Sequence, residues 1–399
     1  MYFKDKLKQY TFFLVENPKE FYNYLIQPKY ILNLLFDMFN IRHRLVDLRS
    51  IVLYATSVCN SKCLMCDIGQ QNKKGIDRLR KSQQTVYLKL ELLNKLLNDP
   101  YIKKRKLNFR ILMTEPLLHP DISEVVKLIK SHGHYVNITT NGYLLPDKAK
   151  DLALSGLDAV QVSLDASEKL NDSIRGVEGI YRRAIDGLKI LDKEKVKIII
   201  NYTVSCLNDS EILNFLDSIN KEGIKVDQIN FQLMDFVSKE MMNLQNEKCE
   251  IKQSESCISE IVNPAKVNAK ELSKQLSSIN HNIYENILQV NLIPPIEDEE
   301  QIRKYFNTNG EKLAGNSRCV LPWHQLAFTT DGKILIHMRC FDFIYGDFTK
   351  KGIKEIFLGD KINDFRKKLI KSNFCFPACT RCCGVMKVGN INKKIGVIK

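Results

Sequence analysis

The sequence predicts an α/β protein: a partial (β/α)6 TIM-like barrel with an N-terminal helical arm and a small C-terminal cysteine-rich module. Three observations lead there. Strand-like and helix-like segments alternate from residue 51 to about 234. The first 48 residues place apolar side chains at helical spacing. Of twelve cysteines, three sit at 59–66 and six between 319 and 383, with only three between.

The arm, 1–48, is read from FYNYLIQPKYILNLLFDMF, broken by Pro28. It packs against the body in the preferred reading and lies on a membrane surface in the other. The barrel, 49–235, takes its strands from IVLYAT (51–56), NFRILM (108–113), YVNITT (135–140), AVQVSL (159–164), KIIINYTV (197–204) and QINFQLM (228–234). Helical patterns intervene, among them YLKLELLNKLLND (87–99), DISEVVKLIKSHG (121–133) and DSEILNFLDSINKEG (209–223), where Gly133 and Gly223 suit C-terminal caps. Six units are too few for a closed eight-fold barrel, so the sheet is expected to stay open. Residues 236–315 are more polar and read as a linker, with one helix over 266–288 and the Pro pair at 294–295. Residues 316–399 combine short strand patterns, a DGK turn (331–333) and six cysteines, as a metal-stapled module does.

Composition narrows the class. With 44% apolar and 27% charged residues the chain is globular, and no apolar run approaches the roughly 18 residues of a spanning helix. The start, MYFKDKLKQY, lacks the layout of a secretory signal, which makes the cytoplasm the expected location. The +14 net charge is dispersed; it reads as a Lys-, Ile- and Asn-rich bias before it reads as a nucleic-acid surface, and no nucleic-acid partner is expected. Reducing surroundings disfavour a disulfide framework, so clustered cysteines point to metal.

Cys59, Cys63 and Cys66 follow the first strand, on the face where parallel α/β folds build their sites. Three soft thiolates select zinc, copper(I) or an iron–sulfur cluster. Structural zinc wants four ligands, and no fourth Cys or His lies nearby. A four-iron cluster on three cysteines keeps one iron open for a substrate or cosubstrate.

The C-x3-C-x2-C spacing directly after the first strand resembles the radical S-adenosylmethionine (radical SAM) superfamily. Further matches follow in the family's order: MTEP (113–116) where Gly-Gly-Glu-Pro is usual, TTNGYLL (139–145), VSLDA (162–166) and SIRG (173–176). The resemblance implies that Cys59, Cys63 and Cys66 hold a [4Fe-4S] cluster whose open iron chelates S-adenosyl-L-methionine. It places Met65 by the adenine, and Thr114 and Glu115 by the methionyl amino group. Ser163 and Asp165 would lie near the ribose and methionyl portion, with Arg175 on the carboxylate and Asn141 a further cofactor-binding candidate. Asn201 and Val204 are further candidates for ribose and adenine. Met113 and Thr114 depart from the usual glycines, which admit close backbone approach.

The segment CVLPWHQLAFTTDGKILIHMRC (319–340) with CFPACTRCC (375–383) resembles the SPASM or twitch extension of such enzymes. That implies one auxiliary [4Fe-4S] cluster on Cys319, Cys340, Cys379 and Cys382, with Cys375 and Cys383 as substitute ligands. A structural zinc site is the alternative. His324 and His337 lie inside this module, and Trp323 reads as its core anchor. His119, His132 and His134 are assigned to structure, the last two as cationic residues at a helix end. Cys206 and Asp235, past the fifth and sixth strands, are the catalytic candidates; Cys249 and Cys257 read as incidental.

The implied function is hydrogen abstraction by a 5′-deoxyadenosyl radical from a small or carbohydrate-like substrate, ending in oxidation or epimerisation. A peptide maturase forming thioether or carbon–carbon links is the alternative. A zinc-stabilised nucleic-acid-binding protein is the reading from another class. The partners implied are the substrate and an electron donor such as flavodoxin or ferredoxin.

Overall fold

The computed structural model describes residues 46–67, 85–251, 257–258, 261–279, 284–310, 319–336 and 343–382. Its contacts divide the chain into two units, Met1–Leu48 and Arg49–Lys399. The expected helical arm lies, up to residue 45, outside the described residues.

The second unit runs β1 (Ser50–Leu53), α1 (Leu90–Leu97), α2 (Pro100–Lys103), β2 (Asn108–Ile111), α3 (Ile122–Ser131), β3 (Tyr135–Thr140), α4 (Leu145–Leu154) and β4 (Ala159–Ser163). It continues with α5 (Glu168–Arg175), α6 (Ile180–Lys193), β5 (Lys197–Val204), α7 (Ile212–Lys221), β6 (Gln228–Leu233), α8 (Lys239–Lys248), α9 (Ala269–Ser277), β7 (Val290–Ile293) and α10 (Glu299–Tyr305). The last part holds α11 (Leu321–His324), β8 (Gln325–Phe328), β9 (Lys333–Leu335), β10 (Ile344–Asp347), α12 (Ile353–Leu358) and α13 (Asp360–Lys371).

Among the described residues, ten strands form one sheet, ordered β10-β9-β8-β1-β2-β3-β4-β5-β6-β7. From β8 to β7 every neighbouring pair is parallel; β9 and β10 turn back antiparallel. The sheet is open, and the expected partial barrel is observed. Local patterning explains the strands: in β5 the residues Ile198, Ile200, Tyr202 and Val204 are buried, while those between them are more exposed. The buried set lies beneath helices such as α6, which turns Ile180, Ala184, Leu188 and Leu191 inward at helical spacing. Close approach of α4 and α6 needs Gly187, where a Cβ would sit 2.2 Å from that of Leu145.

Two segments differ from expectation. The polar stretch read as a linker carries β7, which extends the sheet beyond β6, and the helix expected over 266–288 is described as α9, Ala269–Ser277. The C-terminal cysteine module joins the same sheet through β8, which pairs with β1 in the register Ser50↔Gln325 to Leu53↔Phe328. Pairing of strands so distant in sequence leaves no local signal. The DGK turn closes the β8–β9 hairpin, with Gly332 at φ +80°.

Candidate cluster and SAM site

The cysteine loop leaves β1 and is strapped to the end of α5. Lys62 N–H donates to the Arg175 carbonyl at 3.1 Å, and Leu64 N–H donates to that of Ile174 at 2.9 Å. The helix can stop there because Gly176 takes φ +66°; a Cβ at this position would meet the Lys62 carbonyl oxygen at 2.8 Å. Thus SIRG supplies both the last helical residue and the only residue type that lets the loop lie close.

Arg175 then reaches into the site. Its Nη2 is 2.5 Å from Asp165 Oδ2, and its Nη1 points to Cys63 Sγ at 3.7 Å. Asp165 is fully buried and accepts from Thr203 N–H at 2.8 Å, so the end of β4 is tied to β5. Two buried donors at this point, Arg175 Nε and Asn171 Nδ2, have no protein acceptor among the described residues. The resemblance gives Arg175 to the SAM carboxylate; in the structure Asp165 occupies one edge of its guanidinium.

Glu115 caps the short turn Pro116–Leu118 and is 1% exposed. Its carboxylate accepts from Leu117 N–H (3.0 Å), Thr140 Oγ1 (2.6 Å) and Asn141 N–H (2.8 Å), which locks the end of β2 to that of β3. Burial pushes the carboxyl above the ordinary range, and those three donors oppose it. Asn141 in turn donates to Asn60 Oδ1 at 2.7 Å and Ser61 Oγ at 2.8 Å inside the cysteine loop. Thr114 Oγ1 donates to the Thr56 carbonyl at 2.6 Å. Met113 adopts φ +106°, the conformation the usual glycine would take, and its half-buried side chain packs towards Val52, Tyr54, Ala327 and Leu335.

The structure therefore gathers Cys59, Cys63, Cys66, Met65, Thr114, Glu115, Asn141, Asp165 and Arg175 about one loop. Ser163 is half-buried at the end of β4. Asn201 and Val204 fall on opposite faces of β5: Val204 is buried on the helix side, and Asn201 is hydrogen-bonded on the other. Cys206 Sγ faces the Ile261 carbonyl at 3.7 Å, and Asp235 accepts from Gln232 Nε2 at 3.3 Å.

The donor set fits an iron–sulfur cluster. Burial pushes the Cys59 thiol up to about 12 and raises Cys63, while the Arg175 guanidinium draws Cys63 back down. Metal loading must release these protons, and Arg175 compensates the negative charge that remains. Among the described residues no three His, Cys, Asp or Glu side chains converge on a single-ion site. A cubane takes its thiols at separate corners.

A second thiol group lies in the C-terminal part. Cys379 is buried with its thiol pushed well up, first by burial and then by Cys382, Cys375 and Cys319. Cys382 N–H donates to the Cys379 carbonyl at 3.1 Å, and Cys319 N–H to that of Phe374 at 2.8 Å. Cys375 thus stands in this group beside Cys319, Cys379 and Cys382; Cys340, Cys383 and His337 lie outside the described residues. Arg381, fully buried, fastens the turn by donating to the carbonyls of Tyr305, Lys304 (2.9 Å) and Thr380 (3.2 Å). Trp323 is buried against Phe374, as expected.

Other residues resolve as follows. His119 accepts from Asp121 N–H and therefore donates from Nε2 to the Leu88 carbonyl, a structural role. His132 Nδ1 meets the Leu128 carbonyl at 3.0 Å. His134 is not a cationic cap: it is buried by Phe109, accepts from Leu107 N–H, and burial lowers it to about 4. Cys257 is buried, and its backbone N–H donates at 2.7 Å to Asp67, the residue after Cys66; its position in the polar stretch gave no sign of this.

Residues 53–219 match the Radical SAM superfamily. The chain carries a radical SAM domain, whose cofactors are a [4Fe–4S] cluster and S-adenosylmethionine. A probable GTP 3′,8-cyclase of Saccharolobus islandicus is 31% identical over 172 residues, covering 42% of this chain and 52% of that protein. Its counterpart in Thermococcus kodakarensis is 33% identical over 170 residues, with the same coverage. The chain thus spans about half the length of the curated relatives it matches. Streptococcus suis SuiB bound to S-adenosylmethionine shares the fold at TM-score 0.58 and 16% identity, over 91% of this chain and 83% of that one. Native anSMEcpe with bound AdoMet gives TM-score 0.54 and 17% identity over 80% and 83%.

Proposed function

We propose that the protein is a radical SAM enzyme that removes a hydrogen atom from a small, carbohydrate-like substrate, ending in oxidation or epimerisation. The carrying observation is the loop of Cys59, Cys63 and Cys66 strapped to α5, with Arg175 joining Cys63 to buried Asp165. When bound, the reduced cluster and SAM supply a 5′-deoxyadenosyl radical. The chain's own residues hold the three thiols, offset their charge and fix the loop. Arg175 Nε is the donor left for the SAM carboxylate, and Thr114, Asn141 and Ser163 edge the same site. Glu115 acts by locking the ends of β2 and β3 together. Cys206 and Asp235 remain the candidates for the group that meets the substrate radical. Cys319, Cys375, Cys379 and Cys382 would hold an auxiliary cluster, and electrons would come from a flavodoxin- or ferredoxin-like donor. No helix among the described residues is long and apolar enough to cross a membrane.

A second reading, a peptide maturase, is supported by the fold shared with SuiB, which has also been solved bound to precursor peptide SuiA.

The class is tested by anaerobic reconstitution with iron and sulfide, followed by dithionite and SAM. We expect a brown protein that forms 5′-deoxyadenosine, and at least a hundredfold loss in Cys63→Ser with fewer irons per chain. A colourless protein that leaves SAM intact sinks the proposal.

A further inference from the structure

One chain of hydrogen bonds crosses the inner face of the barrel, the face turned away from the helices. Asn291 on β7 donates from Nδ2 to Asn230 Oδ1 at 3.0 Å, and Asn230 donates to Asn201 Oδ1 at 2.9 Å. Asn201 donates to Gln161 Oε1 at 3.2 Å, Gln161 to Asn137 Oδ1 at 3.0 Å, and Asn137 to Asn108 Oδ1 at 2.8 Å. Six side-chain amides on six successive strands thus point head to tail in one direction. The direction is collective: turning any inner amide alone would set oxygen against oxygen and nitrogen against nitrogen. Aligned amide dipoles of this kind polarise one another.

Each donor uses one of its two N–H groups in this chain. Five amide N–H groups, on Asn137, Gln161, Asn201, Asn230 and Asn291, are left with no protein acceptor among the described residues. On the strand positions of this face the cations are Arg110, which points to Gln325 Oε1 at 3.5 Å, exposed Lys197 at the start of β5, and Lys333 on β9, which is paired at 2.6 Å with Asp347, the carboxylate opposite it on β10. The flank at β1 and β8 is different. There Val52, Tyr54, Ala327 and Leu335 make a compact, buried apolar cluster on the same face, edged by half-buried Leu112 and Met113.

We propose that this face is the substrate-binding surface and that its ligand is a neutral polyol, a sugar or cyclitol. The proposal rests on the radical SAM reading above and names the substrate class of that site. A neutral polyol matches both halves of the surface. Its hydroxyls accept from the spare amide N–H groups and also donate to the remaining amide lone pairs, a freedom that fixed backbone amides lack. Its C–H face lies against half-buried Leu112 and Met113 at the edge of the apolar cluster. A nucleoside triphosphate is refused, because phosphate recognition wants converging Arg or Lys side chains, and here Arg110 faces Gln325, Lys333 is paired with Asp347, and Lys197 stands alone at the start of β5. In this respect the chain would part from the GTP 3′,8-cyclases it resembles.

The test uses the full-length, anaerobically reconstituted protein with SAM and no reductant. Glucose, N-acetylglucosamine, myo-inositol, GTP and an uncharged decapeptide are compared by saturation-transfer NMR and titration. We expect binding of at least one neutral polyol, with affinity reduced at least tenfold in Gln161→Met, which cuts the chain at its centre. Asn291→Leu, at the chain's end, gives a second variant should the first fail to fold, and melting curves report that failure. The proposal is overturned if all three polyols are silent, if GTP or the peptide binds in their place, or if polyol affinity is unchanged in the folded variants. 5′-Deoxyadenosine formation is scored separately. Its failure with polyol binding intact removes the radical reading, and the reverse removes this one.

Discussion

Met113 shows what one residue can reveal beyond its motif. Where the resembled motif has glycine, this chain keeps a methionine at φ +106°, a conformation in which a side chain costs about 1–3 kcal/mol. Its side chain reaches the apolar patch formed by β1, β8 and β9, so local strain is balanced by contacts made far away in sequence. The usual preference for alanine over glycine should therefore reverse here. Met113→Gly and Met113→Ala both lose the thioether, but only the first also loses the strain. We expect Met113→Gly to be the more stable by about 1–2 kcal/mol in urea unfolding. Equal stabilities, or a more stable alanine variant, would show that position 113 carries no strain.

The element that decides the site is the pairing of the cysteine loop with the end of α5. Two loop N–H groups fill helix carbonyls, Arg175 reaches Cys63, and Gly176 provides the clearance. Gly176→Ala demands both a strained φ and a retreat of Lys62 from a 2.8 Å contact. We expect a stability loss of about 1–3 kcal/mol and, because the loop shifts, less iron bound per chain after reconstitution. Full iron loading with an unchanged melting temperature would mean that the strap does not position the thiols. Much of this was legible in SIRG and in the cysteine spacing, because a helix end and a ligand loop are local patterns. The partner choices were less so: that Arg175 takes Asp165, and that Glu115 is consumed by Thr140 and Asn141, depends on where β2, β3 and β4 end in space.

At the scale of the molecule, the cysteine module is bound into the barrel sheet. β8 lies against β1 across 275 residues of sequence, as the Ser50–Gln325 contact records, so the C-terminal part covers what would otherwise be an open strand edge. The chain's single tryptophan, Trp323, lies in α11 just before β8 and is buried. Its fluorescence reports on the module, and far-UV circular dichroism reports mainly on the barrel helices. One shared sheet predicts coincident denaturant midpoints for the two probes. A tryptophan transition at clearly lower denaturant would show that the module melts alone.

The sequence by itself determined the strands, the helices, the loop of three thiols and the order of the motifs around it. Each of these is written in neighbouring residues, through periods of two or 3.6 and the demands of turns and ligands. Only the tertiary structure decided that β7 and β8 extend the sheet, that Cys375 joins Cys319, Cys379 and Cys382, and that Cys257 meets Asp67. It also decided the amide chain, whose members look like ordinary polar positions in six separate strands. Strand register brings them together, and register belongs to the whole sheet, so no stretch of sequence short enough to read by pattern contains it.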